Sequence, residues 1–254
     1  METRLQQGIL LEEAERFQEA LLAYEQAAQE EPDNPEPLLR QGALLDEVGA
    51  YPRALLAFDK ALSLDPARAS ALRARGDVLS TLARYDEAVA DFSLAIRIDP
   101  EEADAYYNRG LAYASMDEHD LAIADFSAAV LRDPLHGGAY NNMGLAHFKT
   151  GDYASALDDF SNAIRVREGF ACSFTHRARV YEALGEAKDA IADYTRALQI
   201  SPSDATTLYF RGCLYFALQE NEKGREDLEL LLQTAARDNR FRSLAQQRLD
   251  AQSG

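Results

Sequence analysis

The side chains in this sequence that could carry out covalent or metal chemistry are few and widely spaced. Cys172 and His176 stand four residues apart, a spacing that places them on one helix face and could support a thiolate–imidazole pair. The same pair could supply half of a metal site, but no second pair completes the metal's ligand shell. A lone thiol also needs activating neighbours to become reactive. We therefore interpret both as ordinary polar residues and predict no metal site.

Other segments that resemble catalytic loops lack the companions that such loops need. Residues 136–138 (HGG) resemble an oxyanion loop, yet no Gly-x-Ser-x-Gly sequence accompanies them. Residues 149–151 (KTG) lack the upstream glycines of a phosphate-binding loop. Adjacent acids such as Asp158 and Asp159 point to different helix faces, and His147 is expected to stand alone. The sequence predicts no catalytic residue, no cofactor and no enzymatic activity.

The negative net charge of the chain disfavours several classes of partner. Its 254 residues include 43 acidic and 26 basic side chains, for a net charge of -17, which disfavours binding to nucleic acid or to anionic lipid. Residues 1–136 hold 12 basic and 27 acidic residues (net -15), whereas residues 137–254 hold 14 and 16 (net -2). A basic partner is therefore expected to meet the N-terminal half first.

The sequence also carries weak information about the compartment. No apolar run approaches the roughly 18 residues that a membrane span needs, so no membrane insertion is expected. Two cysteines are too few for a disulfide framework, and no secretory signal opens the chain. A cytoplasmic protein is the default expectation, with a periplasmic or membrane-anchored one left open if a targeting segment has been removed.

A 34-residue period organises almost the whole chain. Its eighth position carries a glycine in six of seven copies: Gly8, Gly42, Gly76, Gly110, Gly144 and Gly212. Its twenty-fourth position carries an aromatic residue in six copies: Tyr24, Phe58, Phe92, Phe126, Phe160 and Tyr194. Small residues occupy the twentieth position of every copy and the twenty-seventh position of six copies, and prolines close five copies. Small residues let two helices approach closely, the aromatic ring fills the gap, and proline stops the second helix.

This pattern resembles the tetratricopeptide repeat family. The resemblance implies an all-α, right-handed superhelical α-solenoid of seven helix–turn–helix repeats. The expected repeats are residues 1–34, 35–68, 69–102, 103–136, 137–170, 171–204 and 205–238. Residues 239–254 follow as a capping helix and tail, in which Phe241, Leu244, Ala245 and Leu249 share one helical stripe.

Two positions of the repeat vary together. The seventh position reads Gln7, Gln41, Arg75, Arg109, Met143, Arg177 and Arg211. The twenty-third reads Ala23, Ala57, Asp91, Asp125, Asp159, Asp193 and Asp227. Every arginine copy carries aspartate and both glutamine copies carry alanine, so we predict an Arg–Asp bridge inside the third, fourth, sixth and seventh repeats.

The resemblance also implies where a partner binds. In this family the first helix of each repeat lines a concave groove, and asparagines at its sixth position grip the backbone of extended peptides. By that resemblance the candidate binding residues are Asn108, Asn142, Tyr107, Asn141, Arg73, Asp77, Phe148, His176, Arg179, Tyr209 and Phe216. The carboxylate clamp of chaperone-binding members is not intact, because Asp77 accompanies Arg73.

The resulting functional hypothesis is a non-catalytic scaffold or adaptor that binds a peptide segment or partner protein. One alternative is an assembly or secretion chaperone that shields a client protein. Another is an accessory domain of a larger enzyme or regulator. End-to-end self-association through the atypical first and seventh repeats is a further expectation.

Overall fold

A computed structural model describes residues 3–251, and every regular element in this range is an α-helix. The helices are α1 (Arg4–Glu13), α2 (Phe17–Glu30), α3 (Glu36–Glu47), α4 (Tyr51–Leu64), α5 (Ala69–Thr81), α6 (Tyr85–Ile98), α7 (Ala103–Ser115), α8 (His119–Arg132), α9 (Gly137–Thr150), α10 (Tyr153–Val166), α11 (Ala171–Leu184), α12 (Ala187–Ile200), α13 (Ala205–Ala217), α14 (Asn221–Thr234) and α15 (Arg240–Ala251). The all-α expectation is confirmed.

The helices form two compact units, unit 1 (residues 1–134, with α1–α8) and unit 2 (residues 135–254, with α9–α15). We call the odd-numbered helices α1 to α13 the A helices and the even-numbered ones the B helices. Inside each unit, every A helix packs chiefly on the B helix that follows it, and that B helix packs on the next A helix. Each unit is thus a stack of helical hairpins, as the resemblance implied.

The close approach of A and B helices depends on the glycine–aromatic pair. A methyl group at Gly76 would lie 2.7 Å from a ring carbon of Phe92, and Gly110 stands in the same relation to Phe126. Both rings are almost completely buried. Any larger side chain at these glycines would have to displace a ring from a close-packed core.

The turn between A and B helices imposes a left-handed backbone on one position of every hairpin. Glycines occupy it in three hairpins, with φ of +73° at Gly49, +84° at Gly151 and +79° at Gly185. In the other four hairpins the position holds a residue with a Cβ atom and positive φ: Glu15, Ala83, Asp117 and Gln219. Non-glycine residues are strained in this region because Cβ approaches the following carbonyl.

Replacing Ala83 with glycine should therefore stabilise unit 1. The strain energy that glycine removes at this position is larger than the extra conformational entropy that glycine loses on folding. We therefore expect the free energy of unfolding to rise by about 0.5–1 kcal/mol. Urea denaturation followed by far-UV circular dichroism measures it. Ala90→Gly, at an exposed position inside α6, is the matched control and should lower stability by about 1 kcal/mol. A loss of stability in Ala83→Gly would contradict the argument from strain.

The predicted Arg–Asp bridges are confirmed in all four repeats. In each, the guanidinium Nε and Nη2 atoms donate to the two carboxylate oxygens at 2.7–2.9 Å. The pairs are Arg75–Asp91, Arg109–Asp125, Arg177–Asp193 and Arg211–Asp227. The aspartates are buried, and the planar fork of arginine satisfies both of their oxygens.

Each of these arginines also reaches the preceding repeat, which the pattern did not predict. Nη1 of Arg109 donates to Ser93 Oγ at 2.9 Å, and Nη1 of Arg177 donates to Ser161 Oγ at 2.9 Å. Arg75 and Arg211 make the same contact with Asp59 and Thr195. One side chain therefore ties together an A helix, its own B helix and the previous B helix.

In the fifth repeat a histidine, not an arginine, is the partner of the buried aspartate. Our expectation that His147 stands alone was therefore wrong. The repeat has Met143 in place of arginine, and Nδ1 of His147 lies 2.7 Å from Oδ2 of Asp159. His147 follows Met143 by one helical turn, so it approaches the buried carboxylate from the same helix face. His147 is thus the partner of Asp159 and does not stand alone.

The last helix covers the end of unit 2. Phe241, Ala245 and Leu249 of α15 are buried against a core cluster that includes Leu208 and Leu231. The expected capping role is confirmed, although Leu244 is 40% exposed and does not belong to the buried stripe. The buried residues of α15 recur every four residues, so Leu244 lies at the edge of the contact between α15 and the core of unit 2.

Candidate functional site

The A helices of each unit lie side by side and form the surface on which a partner was expected to dock. We call them the A-helix wall of unit 1 (α1, α3, α5, α7) and the A-helix wall of unit 2 (α9, α11, α13). In unit 1 α5 contacts both α3 and α7, and in unit 2 α9 contacts α11. Thr175 Oγ1 of α11 also lies 2.6 Å from Thr207 Oγ1 of α13. Clefts open between them, of about 330 Å³ between α1 and α3, 230 Å³ between α3 and α5, and 360 Å³ between α11 and α13.

Three candidate residues of unit 1 form one hydrogen-bonded network. Nδ2 of Asn108 donates to Oδ1 of Asp77 at 2.7 Å, and Nη1 of Arg73 lies 3.4 Å from Oδ2 of the same carboxylate. Arg73 Nε also donates to Glu102 at 2.6 Å. The network joins α5 to α7, and it commits the amide nitrogen of Asn108 to Asp77. The carbonyl oxygen of Asn108 is then the group that suits a donor from a ligand.

The carboxyl of Asp77 is poorly solvated. Burial raises the pKa of Asp77 to about 6, because its effect is larger than the lowering of the pKa by Arg73 and Asn108. Nearby Asp46 and Asp104 raise the pKa of Asp77 further, and burial raises that of Asp46 as well. This part of the wall therefore concentrates negative charge in a setting that favours a cation.

The candidate polar residues of unit 2 form a second network. Asn141 is buried, and its Oδ1 accepts from Ser173 Oγ at 3.0 Å and lies 3.0 Å from His176 Nδ1. Asn141 Nδ2 donates to Asn142 Oδ1 at 3.4 Å. Because Oδ1 of Asn141 is an acceptor, His176 carries its proton on Nδ1. Asn141 is thus buried and bonded to three neighbouring side chains.

The imidazole of His176 is neutral at physiological pH. Burial lowers its pKa to about 4, and Arg179 one turn further along α11 lowers it too. The ring borders the cleft between α11 and α13 together with Cys172 and Asp204. Burial also raises the pKa of the Cys172 thiol, which therefore remains protonated and a weak nucleophile.

Arg179 lies close to two aromatic rings. Its guanidinium carbon is 5.3 Å from the centroid of Phe148 and 4.8 Å from that of Phe210. Phe148 also packs against Tyr153, at 5.6 Å between centroids. Residues of α9, α11 and α13 therefore meet at Arg179.

The remaining candidate aromatics face the core more than we expected. Tyr107 packs against Phe126 with centroids 5.9 Å apart, and Tyr209 packs against Phe241 of α15 at 5.1 Å. The placement of Phe216 on an open wall is wrong, because this side chain is 7% exposed. Position twenty of the seventh repeat is Gly224 rather than alanine, and Phe216 fills the space that the missing methyl group leaves.

Sequence reasoning missed Glu102 as a member of the unit 1 network and did not pair Phe210 with Arg179. Glu102 is the last residue of its 34-residue copy, and the equivalent Arg68 similarly reaches the wall, where it donates to Glu36 at 2.5 Å. A polar residue at the last position of a copy therefore indicates a side chain that can bond to residues of the wall. Phe210 was recognisable as a wall residue, but its contact with Arg179 depends on the packing of α11 against α13.

The described residues contain neither a cluster of metal ligands nor a disulfide. Within residues 3–251, no group of three or more His, Cys, Asp or Glu side chains is arranged to hold a metal ion. Both cysteines are free thiols. None of the helices in this range has the length and apolar character that crossing a bilayer requires.

Sequence comparison identifies repeats along most of the chain. Family profiles described as tetratricopeptide repeats match residues 5–69, 103–135, 138–170 and 173–204, and one described as a TPR repeat matches residues 84–117. No curated protein sequence matches the chain significantly.

Solved structures share the fold. A tetratricopeptide repeat protein from Parabacteroides merdae ATCC 43184 aligns with a TM-score of 0.73 at 20% identity, covering 96% of each chain. YrrB, described as a TPR protein with an unusual peptide-binding site, aligns with a TM-score of 0.64 at 26% identity, covering 74% of this chain and 97% of its own.

MamA from Desulfovibrio magneticus RS-1 aligns with a TM-score of 0.61 at 28% identity, covering 64% of this chain and 92% of its own. The glycine–aromatic period, the stacked helical hairpins and these matches agree. The chain is a member of the tetratricopeptide repeat family.

Proposed function

We propose that the chain is a non-catalytic interaction module whose A-helix walls bind an extended peptide segment of a partner protein. The observation that carries this proposal is the network around Asn108. An exposed asparagine would sample several rotamers, but Asp77 holds the amide nitrogen of this one at 2.7 Å. The side chain is therefore ordered before a ligand arrives, which reduces the entropy lost on binding.

The chemistry of asparagine suits a peptide of any sequence. Its carbonyl oxygen accepts from a backbone N–H, and every residue of an extended peptide except proline offers one. Asn142 stands at the equivalent position of an A helix in unit 2, where it accepts from Asn141. The likeness to YrrB, at 26% identity, supports a peptide as the ligand class.

In unit 1 the charge of the wall favours a basic segment. The cleft between α1 and α3 is bordered by four glutamates and one arginine: Glu12, Glu13, Glu15, Glu47 and Arg40. Together with the poorly solvated Asp77, these carboxylates would attract lysine and arginine side chains and accelerate association at low salt.

The test is a peptide selection followed by substitution of the two asparagines. Dodecapeptides displayed on phage are selected on the intact chain, and the affinity of the best binder is then measured by calorimetry. Asn108→Ala with Asn142→Ala removes one wall asparagine from each unit, and we expect the affinity to fall at least about tenfold.

Asn162→Ala is the matched control, since Asn162 lies on the B helix α10, away from the wall. It should leave the affinity unchanged, and both variants should retain the helicity of the parent. An unaltered affinity in the double variant would show that the peptide binds elsewhere, and the proposal would fail.

A further inference from the structure

The arginines on the A-helix walls differ in how their charge is balanced. Arg40 lies 3.3 Å from Glu36, and Arg73 is paired with Glu102 and Asp77. Arg179 occupies the wall of unit 2, and within residues 3–251 no carboxylate lies within 4.0 Å of its guanidinium. It is the wall arginine whose charge the described structure leaves without an ion-pair partner.

Two acids in this part of unit 2 accept hydrogen bonds from other groups. Burial raises the pKa of Glu182, although Arg179 still attracts this carboxylate electrostatically and thereby lowers its pKa in part. Glu182, one turn further along α11, accepts from the hydroxyl of Tyr194. Asp204 accepts from the backbone nitrogen of Thr207 at 2.7 Å and from its hydroxyl at 2.6 Å, at the start of α13. Since His176 is neutral, the positive charge at this point of the wall belongs to Arg179 alone among these groups.

The two aromatic rings prepare Arg179 for an anionic ligand. Phe148 and Phe210 lie over the guanidinium, at 5.3 Å and 4.8 Å from its carbon, and restrict its rotamers. A guanidinium that lies against aromatic rings can still offer the N–H groups at its edge, and these match the two oxygens of a carboxylate. Less entropy is then lost when the ion pair forms.

We propose that Arg179, with Phe148 and Phe210, forms a binding site for the carboxylate of an aspartate or glutamate side chain in the partner's extended segment. This inference rests on the proposed function. An internal acidic residue fits better than a chain end, because the wall continues on both sides of Arg179, through Asn142 on α9 and Tyr209 on α13. Residues 137–254 have a net charge of only -2, from 14 basic and 16 acidic side chains, so they repel a carboxylate less than the N-terminal half does.

The test uses three synthetic dodecapeptide libraries that are identical except at defined groups. The first has a central glutamate and an amidated C-terminus, the second a central glutamine and an amidated C-terminus, and the third a central glutamine and a free C-terminal carboxylate. Peptides retained by the immobilised full chain are quantified by mass spectrometry. We expect the glutamate library to be retained about tenfold better than the amidated glutamine library, and Arg179→Gln to remove this preference.

Arg196→Gln, which removes an exposed arginine from the B helix α12 of the same unit, away from the wall, is the matched control and should leave the preference intact. Equal retention of the two amidated libraries by the parent chain would overturn this inference while the proposed function stands. A preference that survives in Arg179→Gln would also overturn it, as would an Arg179-dependent preference for the free C-terminus alone. No retention of any library would count against the proposed function as well.

A second measurement tests the site without a peptide. Acetate is titrated into the ¹⁵N-labelled full chain while the arginine Nε–H signals are followed by nuclear magnetic resonance. The Arg179 signal should shift saturably, whereas the signals of Arg177 and Arg211, bonded to Asp193 and Asp227, should remain in place. Parallel shifts of all three signals would mean a general salt effect and would contradict a specific site.

Discussion

Replacing Arg109 with alanine is expected to lower the free energy of unfolding by about 3 kcal/mol, because it leaves the buried carboxylate of Asp125 without its cation. Asp125 is 5% exposed and receives two hydrogen bonds from Arg109, both at 2.7 Å. The substitution also removes the contact with Ser93 of the preceding repeat. Urea denaturation monitored by far-UV circular dichroism measures the loss, and urea avoids the screening that guanidinium would add.

The chain itself supplies the matched control. The second repeat has Gln41 and Ala57 where the fourth has Arg109 and Asp125, so the double change Arg109→Gln with Asp125→Ala copies a natural combination. It should recover most of the lost stability, since no charge is left buried. If the double variant is as unstable as Arg109→Ala, the loss comes from packing against Tyr106 and Tyr113 and not from the uncompensated charge.

Replacing Phe241 with alanine should lower the stability of unit 2 by about 3 kcal/mol, the low end of the range for a buried phenylalanine. The ring is 6% exposed and packs against Tyr209 and Phe210 at centroid distances of 5.1 Å and 5.8 Å. Its loss would leave a cavity between α13 and α15 and would loosen the helix that covers the end of this unit. Thermal and urea unfolding of the full chain would show the effect.

Leu244→Ala is the control for this substitution, because Leu244 lies on the same helix but is 40% exposed. It should cost less than about 1 kcal/mol. Amide hydrogen exchange adds a local measurement: in Phe241→Ala, protection should fall in α15 and α13 before it falls in α9. Equal effects of the two substitutions would contradict the view that α15 is anchored by its aromatic residue.

The order of the elements and the core pairs could be predicted from the sequence, because both follow from a local period. A glycine sixteen residues before an aromatic residue specifies two helices that must touch, wherever the pair occurs along the chain. The Arg–Asp bridges were predictable for the same reason, since repetition allowed the chain to be compared with itself. Seven copies supplied the information that one copy lacks.

The details of the site and of its supporting core depended on contacts that the repeat pattern does not specify. His147 as the partner of Asp159, Phe216 filling the space above Gly224, and the commitment of Asn108 to Asp77 all arise from packing. A sequence pattern indicates which face a side chain occupies, but hydrogen bonds depend on distances of a few tenths of an ångström.

The residues by themselves determined that this chain is all-α, repetitive and more acidic in its N-terminal half. Only the tertiary structure decided which wall residues are bonded to one another and which, within residues 3–251, carry a charge without an ion-pair partner. The physical reason is that periodicity is a property of the chain, whereas the balance of a charge such as that of Arg179 is set by every helix that packs around it.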